Sequence, residues 1–330
     1  MSQRVDSQAR LRLRHGVVLA PVDNGRWQAR FDFDGVSLLE GEACRAALPW
    51  LATQLDGIRT VDDLQRSPNC PCTSEQLQEV LSTLHQHGYV LDARMDVCNE
   101  SPATPIAAAT EALGVDTKEA LDKVRTARLT VCGRSHLAEM IVESLRQQGF
   151  DGPQRCTDDL NAAKSSSQEG LSVVVETDFT TAQLEDFNRQ AIASRKTWML
   201  IGAWNRRVLV GPIFLPGETA CYECYRRRLD SHRRHLAASQ ALEAWQQLVA
   251  RPPGDAVEPV FPGVAQLAAA WTGLELFSYV SATRVVRTLG RVLVYEPDLA
   301  RLTNERVLRI PWCSACSPYI AGAICGVQDP

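Results

Sequence analysis

Four cysteines stand in two pairs of the C-x-x-C type, Cys221 with Cys224 and Cys313 with Cys316. Tetrahedral Zn²⁺ prefers soft thiolate ligands, and two such pairs supply all four of them without strain. A site with four protein ligands is closed, so its role is structural, and here it would tie the second pair back to the middle of the chain. The sequence therefore predicts one structural zinc ion and no catalytic role for these residues.

The alternative is that the two pairs are independent and that one of them is redox-active. A thioredoxin-type pair opens a βαβ unit and has one activated thiol. Neither pair opens such a unit, which favours the zinc site. The other cysteines are interpreted as loop or packing residues, and they are Cys44, Cys70, Cys72, Cys98, Cys132, Cys156 and Cys325.

A second pattern with chemical meaning is the stretch LTVCGRSHLAEMIVESLRQQGF at residues 129–150. An apolar, β-branched run meets a glycine, and apolar residues at helical spacing follow, which predicts a strand, a tight turn and a helix. The glycine pattern of dinucleotide loops appears here as Gly133, Ser135 and Ala138. Phosphates need close approach to the backbone, which glycines permit and side chains obstruct. The pattern indicates a degenerate nucleotide loop, although a helix N-terminus still attracts anions.

The elements that must position these residues form an α/β domain, which we predict over residues 128–330. Continuous apolar runs are typical of buried parallel strands, and the helical periods between them predict crossover helices. The predicted elements are a second strand near 153–157, a third strand at 171–177, a helix at 180–194 and a fourth strand at 198–203.

Residues 1–95 predict a separate α+β domain with a winged-helix-like order of elements. Alternating apolar residues predict strands within 10–41, separated by turn signals such as Asp23-Asn24-Gly25. Helices are predicted at 42–55, 60–66 and 73–87, the last of them with a Thr-Ser cap at its start. Residues 96–127 are interpreted as a linker that runs into a helix.

Composition and charge exclude several classes of protein. The 330 residues, 45% hydrophobic and 22% charged, are typical of a globular chain of one or two domains. A net charge of −4 argues against nucleic acid as the main partner, because phosphate binding needs a basic face. We find no apolar run of about 18 residues for a membrane span and no apolar segment of a signal peptide at the N-terminus. We therefore expect a cytoplasmic protein with reduced cysteines and no membrane partner.

Two stretches carry a resemblance to a known family, GPIFLPGETACYECYRRRL at 211–229 and IPWCSACSP at 310–318. Together with residues 129–203 they resemble the ThiF-type proteins, which are like ubiquitin-activating enzymes, and above all those of gene clusters that make azoline and azole rings in peptides. Residues 1–95 resemble the PqqD-like peptide-recognition element that is fused to such proteins. The resemblance implies a Rossmann-like ThiF-type domain with a zinc knuckle pair behind a leader-peptide recognition domain.

Members of this family divide into two functional groups. Active members adenylate a carboxylate with MgATP. Members of the cyclodehydratase group instead bind the leader of a precursor peptide and present it to a YcaO-type enzyme, which uses ATP to form azoline rings from Cys, Ser or Thr. The resemblance also suggests a homodimer, with the apolar run at 263–280 in its interface.

The nucleotide residues of active members have only partial counterparts here. Such members carry an acidic residue after the second strand for the ribose, an Asn-x-x-Arg-Gln stretch for the phosphates and an Asp after the third strand for magnesium. Asp158 or Asp159 matches the first and Asp178 the last, whereas the stretch FNRQ at 187–190 follows the third strand instead of the second. We therefore expect no ATP in this chain and no catalytic residue, although residual nucleotide binding stays open.

The small N-terminal sheet is expected to leave one strand edge unpaired, and such an edge is a template for an extended peptide. The strand at 35–41 is apolar and has nothing that blocks main-chain pairing, and the helix at 73–87 would form the other wall of a groove. The residues predicted to contact a peptide are Val36, Ser37, Leu38 and Leu39 in the strand and Leu77, Gln78 and Leu81 in the helix. The alternative is that these apolar residues only fill the domain's own core, which is favoured for Leu81.

Three functions remain. The first, which we favour, is a leader-recognition subunit whose partners are a precursor peptide and a YcaO-type enzyme. The second is an ATP-dependent adenylating enzyme that acts on a peptide carboxylate, and the third is a zinc-stabilised scaffold without a peptide partner. Pyrophosphate exchange separates the second from the others, and a YcaO-type gene beside this one separates the first from the third.

Overall fold

A computed structural model describes most of the chain, and the chain divides into two compact units, residues 1–122 and 123–330. The described residues are 4–22, 26–30, 36–95, 105–112, 117–157, 160, 170–204, 207–233, 235–238, 241 and 260–317. Within these ranges no helix combines the length and the apolar character that crossing a bilayer requires.

The first unit has short strands, then helices, and two separate sheets. Its elements are β1 (Leu11–Leu13), β2 (Val18–Pro21), β3 (Trp27–Arg30), β4 (Val36–Leu39), α1 (Glu42–Leu51), α2 (Val61–Arg66), α3 (Ser74–Gln86), β5 (Val90–Asp92) and α4 (Pro105–Ala112). Strands β2, β3 and β4 form an antiparallel meander in that order, and β1 pairs with β5. The predicted turn at 23–25 lies outside the described residues.

The sequence signals around α3 explain why this helix forms and what it buries. The Thr73 hydroxyl accepts a hydrogen bond from the Gln76 N–H, and the Gln76 side chain accepts one from the Thr73 N–H, so two free donors at the helix start are satisfied. The helix stops at Gly88, whose φ of +71° suits glycine. Its inner face is fully buried in the core of the unit, and the residues there are Leu77, Val80, Leu81 and Leu84.

The second unit is built on a seven-stranded mixed sheet. Its strands are β6 (Leu129–Cys132), β7 (Gln154–Cys156), β8 (Leu171–Val175), β9 (Trp198–Trp204), β10 (Arg207–Phe214), β11 (Arg291–Glu296) and β12 (Arg301–Arg306). The order across the sheet is β12-β11-β10-β9-β8-β6-β7; the pairings from β7 to β9 are parallel, and those from β9 to β12 are antiparallel. The four strands predicted from the sequence are thereby confirmed as its parallel part.

Helices cover this sheet. They are α6 (His136–Gln147), α7 (Thr181–Ala193), α8 (Tyr222–Ser231) and α9 (Pro262–Ser281), while α5 (Thr117–Thr126) crosses the boundary between the units. The ring of Trp198 on β9 is almost fully buried and meets Phe187 of α7 edge-on at a centroid distance of 5.2 Å. Because β6 and β8 are fully buried, they read as continuous apolar runs in the sequence.

Parallel strands bring the segments that follow them to one edge of the sheet. The turn after β6 contains Gly133 and Ser135, and the 3₁₀ turn after the neighbouring β8 covers Glu176–Asp178. These two connections therefore meet at the carboxyl edge, where ligands bind in open α/β sheets.

A buried ion pair fastens α4 to β1 within the first unit. Glu111 of α4 accepts hydrogen bonds from both terminal nitrogens of Arg12, each at 2.8 Å, and from the His15 N–H at 2.7 Å. Burial by itself would raise the pKa of Glu111, but the hydrogen bonds from Arg12 and His15 outweigh it and lower the pKa from 4.5 to about 2. This carboxylate therefore stabilises the fold in its ionised form.

We predict that the free energy of unfolding falls as the pH drops from about 4.5 to about 2, since a depressed pKa gives stability that is present above the unfolded value and lost below it. Replacing one partner of a buried pair leaves the other charge uncompensated, so Glu111→Gln should cost about 3 kcal/mol at neutral pH and flatten this pH dependence. Urea unfolding of the full chain at several pH values measures both effects. An unchanged pH profile in the variant would contradict the assignment.

Candidate metal centre, strand edge and nucleotide loop

The four predicted zinc ligands come together in one cluster in the second unit. Cys221 precedes α8, Cys224 lies in its first turn, and Cys313 and Cys316 lie in the turns after β12. Their sulfur atoms all lie within 4.8 Å of one another. Within the described part of the chain this is the group of His, Cys, Asp or Glu side chains that can hold a metal ion.

The distances fit a tetrahedral ion better than two independent pairs. The Sγ atoms of Cys221 and Cys313 are 3.6 Å apart, and so are those of Cys224 and Cys316, whereas the separation within the first pair is 3.9 Å. With Zn–S bonds of about 2.3 Å, the edge of a tetrahedron is about 3.8 Å. All four are free thiols, at separations well beyond an S–S bond. The two pairs therefore interleave in one site that can hold a metal ion.

Neighbouring thiols and one main-chain N–H group act on the Cys224 sulfur. The thiols of Cys221 and Cys316 and the Ile310 N–H, which donates at 3.3 Å, hold the pKa of the Cys224 thiol well below its usual range. Three of the four cysteines are buried, and apolar residues such as Ile192 pack around them. Asn188 of α7 accepts a hydrogen bond from the Tyr222 N–H at 3.0 Å and so fixes the start of α8.

Polar contacts join the two cysteine segments apart from the sulfurs. The Ser314 hydroxyl donates to Glu223 at 2.7 Å, and Arg227 donates to the Ser314 oxygen at 3.1 Å. Arg309 donates to the carbonyl of Thr219 at 2.8 Å. These contacts and the cysteine cluster together join the segment around Cys313 to α8 and the residues before it.

The edge of β4 is the second candidate site. Among the described residues β4 pairs with β3 alone, so one of its edges carries no strand. The side chains of Val36 and Leu38 are 48% and 52% exposed, and Leu39 is buried beneath them. Ser37 accepts a hydrogen bond from the Tyr89 hydroxyl at 2.5 Å, which joins the strand to the turn after α3.

The helix residues predicted to contact a peptide lie in α3, and two of the three are buried. Leu77 and Leu81 are fully buried in the core of the unit. This is the position that the alternative, in which they fill the domain's own core, gives them. Gln78 is half-buried, and its side-chain amide donates to the Val5 carbonyl at 3.4 Å. Tyr89, which contacts β4 through Ser37, stacks on His87 at a centroid distance of 5.9 Å. Sequence reasoning missed it because nothing in a single sequence shows which end of a helix meets a strand.

The nucleotide loop forms the third candidate site. Gly133 follows β6, Ser135 caps α6 and Ala138 is buried in its first turn. Asp178 meets this loop: one of its carboxylate oxygens accepts hydrogen bonds from the N–H groups of Arg134 and Ser135. Asp158 and Asp159, the candidates for ribose binding, lie outside the described residues.

The stretch FNRQ lies in α7, as predicted. Phe187 and Asn188 are buried, and Arg189 is half-exposed and paired with Asp186 at 2.5 Å. The residue that does contact the nucleotide loop from the second strand is Arg155, which the sequence analysis did not single out. The residue type of Arg155 did not indicate this contact, because arginines on short edge strands are common surface residues.

Comparisons with known proteins give a likeness of fold. No family model and no curated protein matches the chain. A structure of the heterocyclase TruD matches with a TM-score of 0.70 at 21% identity, over 94% of this chain and 43% of that one. A heterocyclase in complex with substrate and cofactor matches with a TM-score of 0.68 at 18% identity, over 93% of this chain and 39% of that one. Escherichia coli MccB with ATP matches with a TM-score of 0.63 at 13% identity, over 93% of this chain and 99% of that one.

The sequence identities of these matches are all 21% or less. At such identities they show a shared fold alone. Another MccB structure, with MccA-N7isoASN, matches with a TM-score of 0.62 at 14% identity over 93% of this chain and 99% of that one. The chain spans less than half the length of the two heterocyclase chains. The chain therefore has the fold of one part of those heterocyclases.

We predict that the purified protein contains about one zinc ion per chain, held by the four-cysteine centre. Cys313→Ser should abolish zinc binding and yield aggregated protein, because the free energy of a structural metal site is part of the free energy of folding. Elemental analysis of the soluble fraction measures zinc, and Cys72→Ser, at a half-buried cysteine of the first unit, is the matched control. Full zinc content in soluble Cys313→Ser protein would contradict the assignment.

Proposed function

We propose that this protein binds the leader of a ribosomally made precursor peptide and presents it to a YcaO-type enzyme that forms azoline rings. The open edge of β4 carries this proposal. The likeness of fold to heterocyclases and to MccB supports it, and so does the resemblance of the cysteine-containing stretches to the cyclodehydratase group of ThiF-type proteins.

The two edges of the small sheet differ in a way that selects β4 for the peptide. Strand β2 ends in Pro21, which has no N–H to donate, and proline is a usual device for blocking an edge. Strand β4 reads Val-Ser-Leu-Leu, with no proline and no charge. An incoming strand would receive main-chain hydrogen bonds from β4, and its side chains on the outer face would lie beside Val36 and Leu38. Backbone pairing then gives affinity, and the apolar neighbours give sequence preference.

In this proposal the domains have distinct tasks. Residues 1–95 act as a PqqD-like recognition domain, 96–127 connect it, and 128–330 form a ThiF-like domain whose zinc ion is structural. The working compartment is the cytoplasm, where the thiols stay reduced.

The partner enzyme is proposed from the resemblance to the cyclodehydratase group, whose members present the peptide to a YcaO-type enzyme. We assign the ring-forming step to such an enzyme. A homodimer of the present chain through α9, where Leu274 is 45% exposed, would fit the same assembly.

The second candidate function is ATP-dependent adenylation of a peptide carboxylate. The likeness to MccB with ATP favours it, because that protein matches over nearly its whole length. The nucleotide loop argues against it, because the Asp178 carboxylate already accepts hydrogen bonds from the N–H groups that would bind a phosphate. The first function therefore has the stronger support.

We predict that one proline substitution in β4 weakens leader binding without unfolding the protein. Successive N–H groups of a strand point to opposite edges, so either Ser37 or Leu38 donates outward. The variant that removes the outward donor should bind the leader about tenfold more weakly, as expected from the loss of one main-chain hydrogen bond and the clash of the proline ring. The other variant should disturb the pairing with β3 and lower the stability.

Fluorescence polarisation with labelled leader peptides from precursors encoded beside this gene measures the affinity, and thermal unfolding identifies the folded variant. Ile58→Ala, at an exposed apolar residue outside the sheet, is the control and should bind normally. Undiminished affinity in the variant that keeps the wild-type stability would place the peptide elsewhere, with the arginine-rich helix α8 as the next candidate.

We also predict that the isolated, zinc-loaded protein catalyses no ATP–pyrophosphate exchange when the leader peptide or the full precursor is added. A subunit that only recognises peptide forms no acyl-adenylate. Radiolabelled pyrophosphate incorporation into ATP is the measurement, and robust exchange would establish the adenylating function instead.

A further inference from the structure

The loop between β6 and α6 is already bound to an anion that the chain itself provides. Oδ2 of Asp178 accepts hydrogen bonds from the Arg134 N–H at 2.6 Å, from the Ser135 N–H at 2.9 Å and from the Ser135 hydroxyl at 2.9 Å. In nucleotide-binding α/β folds, N–H groups at this position point at phosphate oxygens. The carboxylate of Asp178 thus takes the contacts that a phosphate would make.

The opposite side of the loop is held as well. Arg155 on β7 donates to the carbonyl of Gly133 at 3.3 Å and to that of Arg134 at 2.8 Å, and a third nitrogen donates to Glu139 of α6 at 2.7 Å. Arg134 itself donates to the carbonyl of Thr157 at 2.7 Å. Both the donors and the acceptors of the loop are therefore engaged within the second unit.

The fit of the carboxylate is close. A Cβ atom at Gly133 would lie 2.6 Å from Oδ2 of Asp178 and 2.9 Å from the Cβ of Ala138, so only glycine fits there. A phosphate beside the carboxylate would meet a like charge and find the Arg134 and Ser135 N–H groups already engaged. The loop offers these donors to one anion at a time.

The backbone on both sides of Asp178 is also fixed by regular structure. It closes the 3₁₀ turn that follows β8, and α7 starts three residues later with a capping box between Thr180 and Gln183. The strand before and the helix after fix the backbone, so little conformational freedom remains to be lost when the carboxylate meets the loop. An intramolecular ligand of this kind has a high effective concentration against any free anion.

We propose that Asp178 determines the ligand specificity of this loop: its carboxylate occupies the phosphate position and excludes nucleotides. The loop and α6 then serve as a structural joint between β6 and β8. The inference goes beyond the leader-binding function and does not depend on it, because the residues that carry it belong to the second unit, whereas β4 belongs to the first.

The test is isothermal titration of the full-length, zinc-loaded protein with inorganic pyrophosphate and with AMP, each with and without Mg²⁺. The wild type should bind neither ligand measurably. Asp178→Ala should gain binding of pyrophosphate by about tenfold or more, the factor that one anion at a helix N-terminus can supply. The gain should appear without Mg²⁺, because the free N–H groups are the new donors.

Two further variants keep the test decisive. Asp178→Asn keeps the shape and an acceptor oxygen but loses the charge, so it should fold and show a smaller gain than Asp178→Ala. Asp186→Asn makes the same change at an exposed position of α7 and should leave binding at the wild-type level. If Asp178→Ala proves insoluble, Asp178→Asn decides, and an absence of gain there overturns the proposal.

The opposite result has a clear meaning. Tight Mg²⁺-dependent binding of pyrophosphate or AMP by the wild type, lost in Asp178→Asn, would make Asp178 a magnesium ligand of a working site and overturn the proposal. Leader affinity measured on the same preparations separates the two claims, because it should be equal in the wild type and in all three variants.

Discussion

The need of every main-chain N–H group for an acceptor decides which parts of this chain stay available to a ligand. An unpaired buried donor costs as much as a lost hydrogen bond, so folded chains satisfy such groups internally or present them at the surface. At the start of α6 the donors of Arg134 and Ser135 are satisfied by Asp178, and at the metal centre the Ile310 N–H is satisfied by the Cys224 sulfur. The free edge of β4 is different, because in the described residues no neighbouring strand pairs with it.

This contrast separates stabilising sites from a binding site within one chain. The four-cysteine centre and the nucleotide loop both hold connections of the large sheet together, the first by closing residues 307–317 onto α8 and the second by joining the segments after β6 and β8. The donors of the loop are occupied by Asp178, and three of the four cysteines of the centre are buried. The strand with exposed Val36 and Leu38 belongs to the first unit, where a small sheet cannot pair both of its edges. The proposed division between a recognition unit and a supporting unit rests on these local differences.

Some of this arrangement could be predicted from the sequence because the signals are local. The Thr73 capping box and the apolar positions of α3 lie within one helix, and the cysteine pairs carry their ligand spacing with them. Other features arise only from the fold. Asp178 meets a loop 43 residues earlier in the chain, and its type fits a magnesium ligand as well as an internal cap. Helical spacing likewise puts Leu77 and Leu81 on one face but does not show what covers that face, and of the two the sequence favours the core for Leu81 alone.

Hydrogen exchange of the full chain with and without its precursor peptide tests the central claim, that β4 is the peptide site, most directly. Strand addition pairs main-chain N–H groups that were open, so the outward-facing amides among residues 36–39 should become protected while those of the loop at 133–135 stay as they were. Protection confined to the loop after β6 or to α8, with β4 unchanged, would contradict the account.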